Sequence, residues 1–232
     1  MGCILKGGGG LYSRLVVGAV LLAAGSSTRL GGRPKGLLEL GGVPLVRRQL
    51  IALSGAGVDE LVVVLGPTSQ AGADRLEAAV SAFPITLARN PRPQDGQASS
   101  LRLGLAALAG KLDAVVVALV DQPLLNTQDV SDLIGAYKKR PAGTELVVPM
   151  VGGEPGNPVV FSAAVRDEIL AGQADAGCRR WRAEHPDRVH GWATDNRRYR
   201  VDVDTPEDLA RFELETGHAM RWPADLAAAA AA

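Results

Sequence analysis

Three short stretches, 15–22, 60–65 and 114–120, are nearly continuous runs of apolar, largely β-branched residues, the pattern of strands covered on both faces of a parallel sheet. Around them, 45–56, 69–82 and 99–109 carry apolar positions at helical spacing, flanked by glycine or proline. Strand and helix alternate, which predicts an α/β fold: a doubly wound, mostly parallel sheet with helices on both faces. The pattern continues with a strand over 85–89, a helix over 127–138 with Thr127 as N-cap, and strands over 146–149 and 159–161. The last third reads as helices over 164–171 and 178–184, short strands near Val189 and over 199–203, and a helix from Pro206 to Thr216. Pro206 suits a first helical turn, where its missing N–H is not needed.

No repeat or low-complexity linker interrupts 15–216, which is read as one domain between a disordered extension (1–14) and a C-terminal tail (217–232) ending in alanines. A chain of 232 residues, 47% hydrophobic, buries a full core. Lysine plus arginine and aspartate plus glutamate number 25 each, so no positive excess gathers nucleic acid or an anionic membrane. Cys3 and Cys178, with His185, His190 and His218, show no metal-ligand spacing. No apolar run reaches the roughly 20 residues that cross a bilayer, and the first residues lack a signal peptide's apolar core; a cytoplasmic location is expected.

The segment Leu21-Leu22-Ala23-Ala24-Gly25-Ser26-Ser27-Thr28-Arg29-Leu30-Gly31-Gly32-Arg33-Pro34-Lys35 starts at the carboxyl end of the first strand, where open α/β sheets bind ligands. Small residues let the backbone approach a polyphosphate, free N–H groups donate to its oxygens, and Arg29 and Lys35 neutralise its charge. The spacing is neither the G-x-G-x-x-G dinucleotide fingerprint nor a Walker A loop. Taken alone, the same composition also describes a glycine-rich turn with solvated basic residues.

The string A-A-G-x-S-x-R-x-G followed by a lysine resembles the signature of nucleotidyltransferases with a glycosyltransferase-A-like, nucleotide-diphospho-sugar transferase-like fold. Three more segments resemble the molybdenum cofactor cytidylyltransferase branch: Asn90-Pro91 through Gly96-Gln97-Ala98-Ser99-Ser100-Leu101, then Asp121-Gln122-Pro123, then Gly156-Asn157-Pro158. With Asp202-Val203-Asp204-Thr205-Pro206 near the end, the resemblance runs from about Val17 to Phe212. GTP-using relatives typically carry A-G-G and D-T-P; Ala23-Ala24-Gly25 and Asp121-Gln122-Pro123 fall on the CTP side, and the Ala24 methyl fills space beside the base. Departures are one extra residue between Arg29 and Lys35, Pro93 where tryptophan is common, and Cys178 within a G-A-R-like string.

The resemblance implies CMP transfer from CTP to a phosphorylated acceptor of the molybdopterin type, with Mg²⁺ as cofactor and pyrophosphate released, and a molybdenum hydroxylase as recipient of the product. Asp121 follows an apolar strand directly, a natural place for a magnesium ligand. Asp202 and Asp204 share a face of the expected strand; by resemblance Asp202 is the second ligand and Asp204 caps the next helix. Leu22, Ala23, Ala24, Gly25, Ser26, Arg29, Lys35, Ser99 and Ser100 are the nucleotide-binding set, with Arg29, Lys35 and Asp121 catalytic. Asn157 is the substrate-binding residue, although asparagine before proline is also a common turn residue, and Ser99 equally suits a helix cap. The alternatives are a guanylyltransferase or other small-phosphate transferase of the same fold, and a non-catalytic carrier of the molybdenum cofactor.

Overall fold

The computed structural model describes residues 14–226 apart from Ser26, Gln70, Ala71, Ala176 and Asp225. The expected extension lies outside these residues except Arg14, whose guanidinium donates to the Gly57 carbonyl and pairs with Asp59 at 2.7 Å. In chain order the elements are β1 (Val17–Ala23), β2 (Glu39–Leu40), β3 (Val43–Pro44), α1 (Leu45–Gly55), β4 (Glu60–Leu65), α2 (Ala73–Val80), β5 (Thr86–Arg89) and α3 (Gln97–Ala107). They continue with β6 (Ala114–Leu119), α4 (Thr127–Lys138), β7 (Leu146–Val151), β8 (Glu154–Pro155), β9 (Val159–Ser162), α5 (Ala163–Ala171), α6 (Cys178–Glu184), β10 (Val189–Ala193), α7 (Pro206–Thr216) and β11 (Met220–Arg221).

The main sheet has the order β10-β7-β9-β6-β1-β4-β5, with β8 hairpinned on β7. The pairs β1–β4, β1–β6, β4–β5 and β10–β7 are parallel, while β9 runs antiparallel to both its neighbours. The alternation along β1 explains the two layers. Ala19, Leu21 and Ala23 point to one core with α1, α2 and α4; Val20, Leu22 and Ala24 point to the other with α3, α5 and α6. Burying a side chain such as Leu21 or Leu50, both fully enclosed, stabilises by about 1.5–3 kcal/mol. Gly104 is needed on α3 because a Cβ there would overlap Val20 and Val64. The doubly wound, mostly parallel α/β sheet is therefore present. No helix among the described residues is long and apolar enough to cross a membrane.

Local structure departs from the sequence reading where side chains intervene. The α4 cap is Asn126, not Thr127: its oxygen accepts from the Gln128 and Asp129 N–H groups while Asp129 returns a bond to the Asn126 N–H. Residues 199–203 are not a strand. A 3-10 turn at Arg197–Arg200 leads into an extended, unpaired segment. Fully buried Asp129 explains it, binding the Arg198 guanidinium at 2.6 Å and the Asn196 amide at 2.7 Å, while the Tyr199 hydroxyl donates to the Asp129 carbonyl. The stretch after 216, read as a tail, contributes β11 to a small sheet with β2 and β3. There Met220 packs with Leu38, Leu40, Leu45, Val203 and Phe212.

Candidate active site

The strand order changes direction around β1, with β4 on one side and β6 on the other. A crevice at the carboxyl ends of such strands is the usual ligand site of an open α/β sheet. The loop leaving β1 is shaped by Ser27, in the left-handed region at φ 49, and by Gly31 and Gly32 at φ 74 and 71. The Ser27 carbonyl accepts from the Leu30 and Gly32 N–H groups at 2.8 and 3.0 Å. Its hydroxyl accepts from the Lys35 N–H at 3.3 Å, folding the loop back so that Lys35 returns to the sheet edge. Arg33 is spent on structure, donating to the Leu30 and Leu226 carbonyls and lying over the Trp222 ring at 4.4 Å.

Lys35 Nζ donates to Asp121 Oδ2 at 3.1 Å and also to Asp204 Oδ1. Asp121 stands just past the end of β6, and its carbonyl accepts the Val203 N–H at 3.0 Å. That bond draws the unpaired segment from Val201 to Asp204 beside the glycine-rich loop. Desolvation acts to lower the Lys35 pKa, but the Asp121 charge and the bonds to both carboxylates outweigh it and hold the ammonium above its ordinary value. Desolvation pushes the Asp121 carboxyl up; Lys35 opposes, and the charges of Asp204 and Asp202 add to the rise. Asp202 is also raised, by desolvation and then by Asp204. Asp121 Oδ1 is buried without a hydrogen-bond partner, and leaving such an oxygen unmet costs more than a typical hydrogen bond gains.

A cavity of about 160 Å³ opens here, walled by Leu22, Ala23, Ala24, Gly25, Lys35 and Asp121 and, from the facing side, by Ser100. Pro93, Gln97 and Ser27 also contribute to it. The helix α3 begins at Gln97 after Gly96 at φ 99, so Ser99 and Ser100 lie inside its first turn and neither is the cap. Buried Asn90 orients both, its amide donating to Ser99 Oγ at 2.8 Å and Ser100 Oγ at 2.9 Å. Polar side chains thus line the cavity from α3, and small loop residues and the Lys35 side chain line it from the other side.

The expected site residues divide as follows. Leu22, Ala23, Ala24, Gly25, Lys35, Ser100 and Asp121 come together, and Ser99 stands beside them on Asn90. Ser26 lies outside the described residues. Arg29 is exposed on the loop's 3-10 turn and does not line the cavity. Asn157 is held by its backbone, donating to the Tyr199 carbonyl at 2.8 Å and accepting from the Gln122 amide at 3.0 Å. Gln122, expected to mark base preference, is buried and bridges Asn157 to the Tyr199 carbonyl, away from the cavity wall. The cap given to Asp204 belongs to Thr205, which forms a capping box with Asp208, and Asp204 turns to Lys35 instead. Asp202 is exposed and sits in the wall of a different cavity. Asp204 and Ser27 as partners of Lys35, and Asn90 behind the serines, were missed as to role, although all three lie within the motif strings.

A glycine-rich loop leaving β1, a lysine held by two carboxylates and a crevice at the sheet edge stand where enzymes of the open α/β class bind their ligands. The chain belongs to the MobA-like NTP transferase domain family, whose model matches residues 19–189, and it is a nucleotidyltransferase of that superfamily. It is 33% identical over 201 residues to nicotine blue oxidoreductase of Paenarthrobacter nicotinovorans, covering 84% of this chain and 96% of that one. It is 32% identical to the 2-C-methyl-D-erythritol 4-phosphate cytidylyltransferase of Streptomyces coelicolor, covering 77% of this chain and 69% of the relative. Other curated relatives are bifunctional, and the chain spans 54% and 31% of two of them. Among solved structures, Rv0371c of Mycobacterium tuberculosis superposes with a TM-score of 0.70 at 29% identity, covering 88% of this chain and 100% of that one. The same mycobacterial protein has been solved in complex with manganese.

Proposed function

We propose that this nucleotidyltransferase moves CMP from CTP to a phosphorylated acceptor of the molybdopterin type, with Mg²⁺ present and pyrophosphate as the second product. The observation that carries the reading is the Lys35 ammonium shared by Asp121 and Asp204 at the mouth of the glycine-rich loop. A relative of comparable likeness bears an oxidoreductase name, so the reading rests on this constellation and not on likeness alone. Ala24 supports a pyrimidine: its methyl occupies part of a cavity of only about 160 Å³.

The donor set fits a hard divalent cation. Asp121 Oδ1 is orphaned and buried, Asp204 and Asp202 are near enough to act on Asp121 electrostatically, and carboxylate oxygens are what Mg²⁺ prefers. Among the described residues no three His, Cys, Asp or Glu side chains form a ready cage, consistent with Mg²⁺ taking one or two protein carboxylates and completing its shell with phosphates and water. Asp121 would hold the ion together with Asp202 or Asp204, and the bound ion would supply positive charge against the phosphates.

No enzyme nucleophile is required. An acceptor phosphate oxygen forms the new bond to the α-phosphorus, the bond from α-phosphorus to the bridging oxygen breaks, and pyrophosphate leaves with the electron pair. The chain's part is to align the reactants and neutralise charge. Loop N–H groups and Lys35 meet the phosphate oxygens, Arg29 extends the positive field at the loop's outer face, and Ser99 and Ser100 present hydroxyls to the base. Pyrophosphate release from each of the four NTPs, with Mg²⁺ and a molybdopterin acceptor, tests this. CTP is expected to react alone; a preference for GTP overturns the base assignment, and no release with any NTP overturns the transferase reading of this chain.

A further inference from the structure

A second cavity, of about 340 Å³, has Val201, Asp202 and Leu124 in its wall. Leu124 is three residues past Asp121, and the Val203 N–H is bonded to the Asp121 carbonyl. The segment from Val201 to Asp204 therefore links the two cavities: Val201 and Asp202 line the second, while Asp204 bonds Lys35 in the wall of the first. A volume of this size falls among small-molecule sites, roughly 300–1,000 Å³, and exceeds the cavity of about 160 Å³ beside the loop.

The lining has a definite chemistry. Arg197, Arg200 and Arg211 line it, and so do the carboxylates of Asp202, Asp208 and Glu215. Arg211 is taken up by Asp208 at 2.5 Å, and Arg200 pairs loosely with Glu154 at 3.9 Å. Arg197 forms no ion pair among the described residues. Arg197 is thus unpaired among the described residues and Arg200 loosely held, and a guanidinium matches phosphate oxygens in a planar, two-pronged fashion. Next to them Leu124, Val201 and Phe212 give an apolar wall.

We infer that this cavity receives the acceptor: a phosphomonoester whose anionic group is met by Arg197 and Arg200 and whose flat or apolar body lies on Leu124, Val201 and Phe212. The inference rests on the transferase reading and adds the second substrate's site to it. Asp202, in the linking segment, lines this second cavity. Asn157, expected from sequence to bind substrate, lines neither cavity.

Phenyl phosphate, a phosphomonoester with a flat body, is the probe, titrated calorimetrically into the full chain with and without saturating CTP and Mg²⁺. Wild type is expected to bind it whether or not CTP is present, and more tightly than inorganic phosphate. Arg197→Ala with Arg200→Ala should weaken it at least tenfold while CTP affinity, measured in the same protein, stays unchanged and reports the fold. Lys35→Ala should leave phenyl phosphate binding as it is. Absence of binding to wild type, indifference to the double substitution, or displacement by CTP would each overturn the inference; inorganic phosphate binding equally well would overturn the apolar wall's part. If CTP fails to bind wild type while phenyl phosphate binds through Arg197 and Arg200, the transferase reading fails and the anion cavity stands.

Discussion

Lys35 Nζ lies 3.1 Å from Asp121 Oδ2 although 86 positions separate the two residues. The contact joins the glycine-rich loop to the end of β6, and Asp204 reaches the same ammonium from the far end of the chain. One cation thereby organises two carboxylates that would otherwise repel each other.

Lys35→Ala is expected to lower turnover by about 2–4 kcal/mol in the transition state, the scale of one lost charge-stabilising contact. Arg29→Ala, exposed and outside the cavity wall, should fall short of that and act mainly on the KM for the nucleotide. Steady-state pyrophosphate release measures both; equal losses of kcat would contradict the placement of Arg29.

Asp121→Asn, Asp204→Asn and Asp202→Asn separate the two possible metal pairs. Each keeps volume and removes one charge. Asp121→Asn should raise the Mg²⁺ needed for half-maximal rate most, since its orphaned oxygen is the buried donor. Of the other two, the variant whose activity is restored by added Mg²⁺ identifies the second ligand. If Asp121→Asn titrates like wild type, the metal site is not at Asp121.

Ala24→Gly is expected to move the CTP:GTP ratio of kcat/KM toward GTP by at least about tenfold, the usual worth of one methyl in a tight pocket. Gln122→Thr should leave the ratio alone and lower stability, because both bonds of its amide are to the Asn157 and Tyr199 carbonyls. A base switch produced by Gln122→Thr alone would contradict the buried clamp.

Asp129→Ala removes a fully buried carboxylate bonded to Arg198 and Asn196 and half of the α4 capping box. A loss of about 3 kcal/mol is expected from breaking such a pair, read by denaturant unfolding. Because this clamp holds the turn that leads to Asp202 and Asp204, the half-saturating Mg²⁺ should rise as well, an effect that a merely destabilising change elsewhere would not produce.

Glu168 accepts from both terminal nitrogens of the Arg188 guanidinium and from the Trp181 indole, and the Arg188 bonds hold its carboxyl below the ordinary glutamate value of 4.5. A lowered folded-state value means the stabilisation is present above pH 4.5 and is lost as pH falls through the folded value. The pair is partly exposed, so Glu168→Gln should cost at most about 1 kcal/mol at neutral pH and nothing in strong acid. A constant difference across the acid range would show that the charge is not what stabilises.

Much of the fold was legible because hydrophobic periodicity is a local property. The apolar run of β4 and the helices α4, α6 and α7 have the bounds that the pattern predicts, and the two-faced burial of β1 follows from its unbroken apolar sequence. The glycine-rich loop and Asp121 were legible for a similar reason, since a strand's carboxyl end is marked by where the apolar run stops. Residues 197–204 were not. Their alternating valines and aspartates read as a strand, but Asp129 captures Arg198 and Asn196, and Asp121 takes the Val203 N–H, so no neighbouring strand pairs with them. With that segment went the choice between Asp202 and Asp204. The sequence by itself determined the layered α/β sheet and the loop at its edge, because both are written in nearest-neighbour spacing. Only the tertiary structure decided which aspartate meets Lys35 and that the Gln122 amide is bonded to the Asn157 carbonyl, because those outcomes depend on hydrogen bonds between residues 35 to 169 positions apart, which no local pattern encodes.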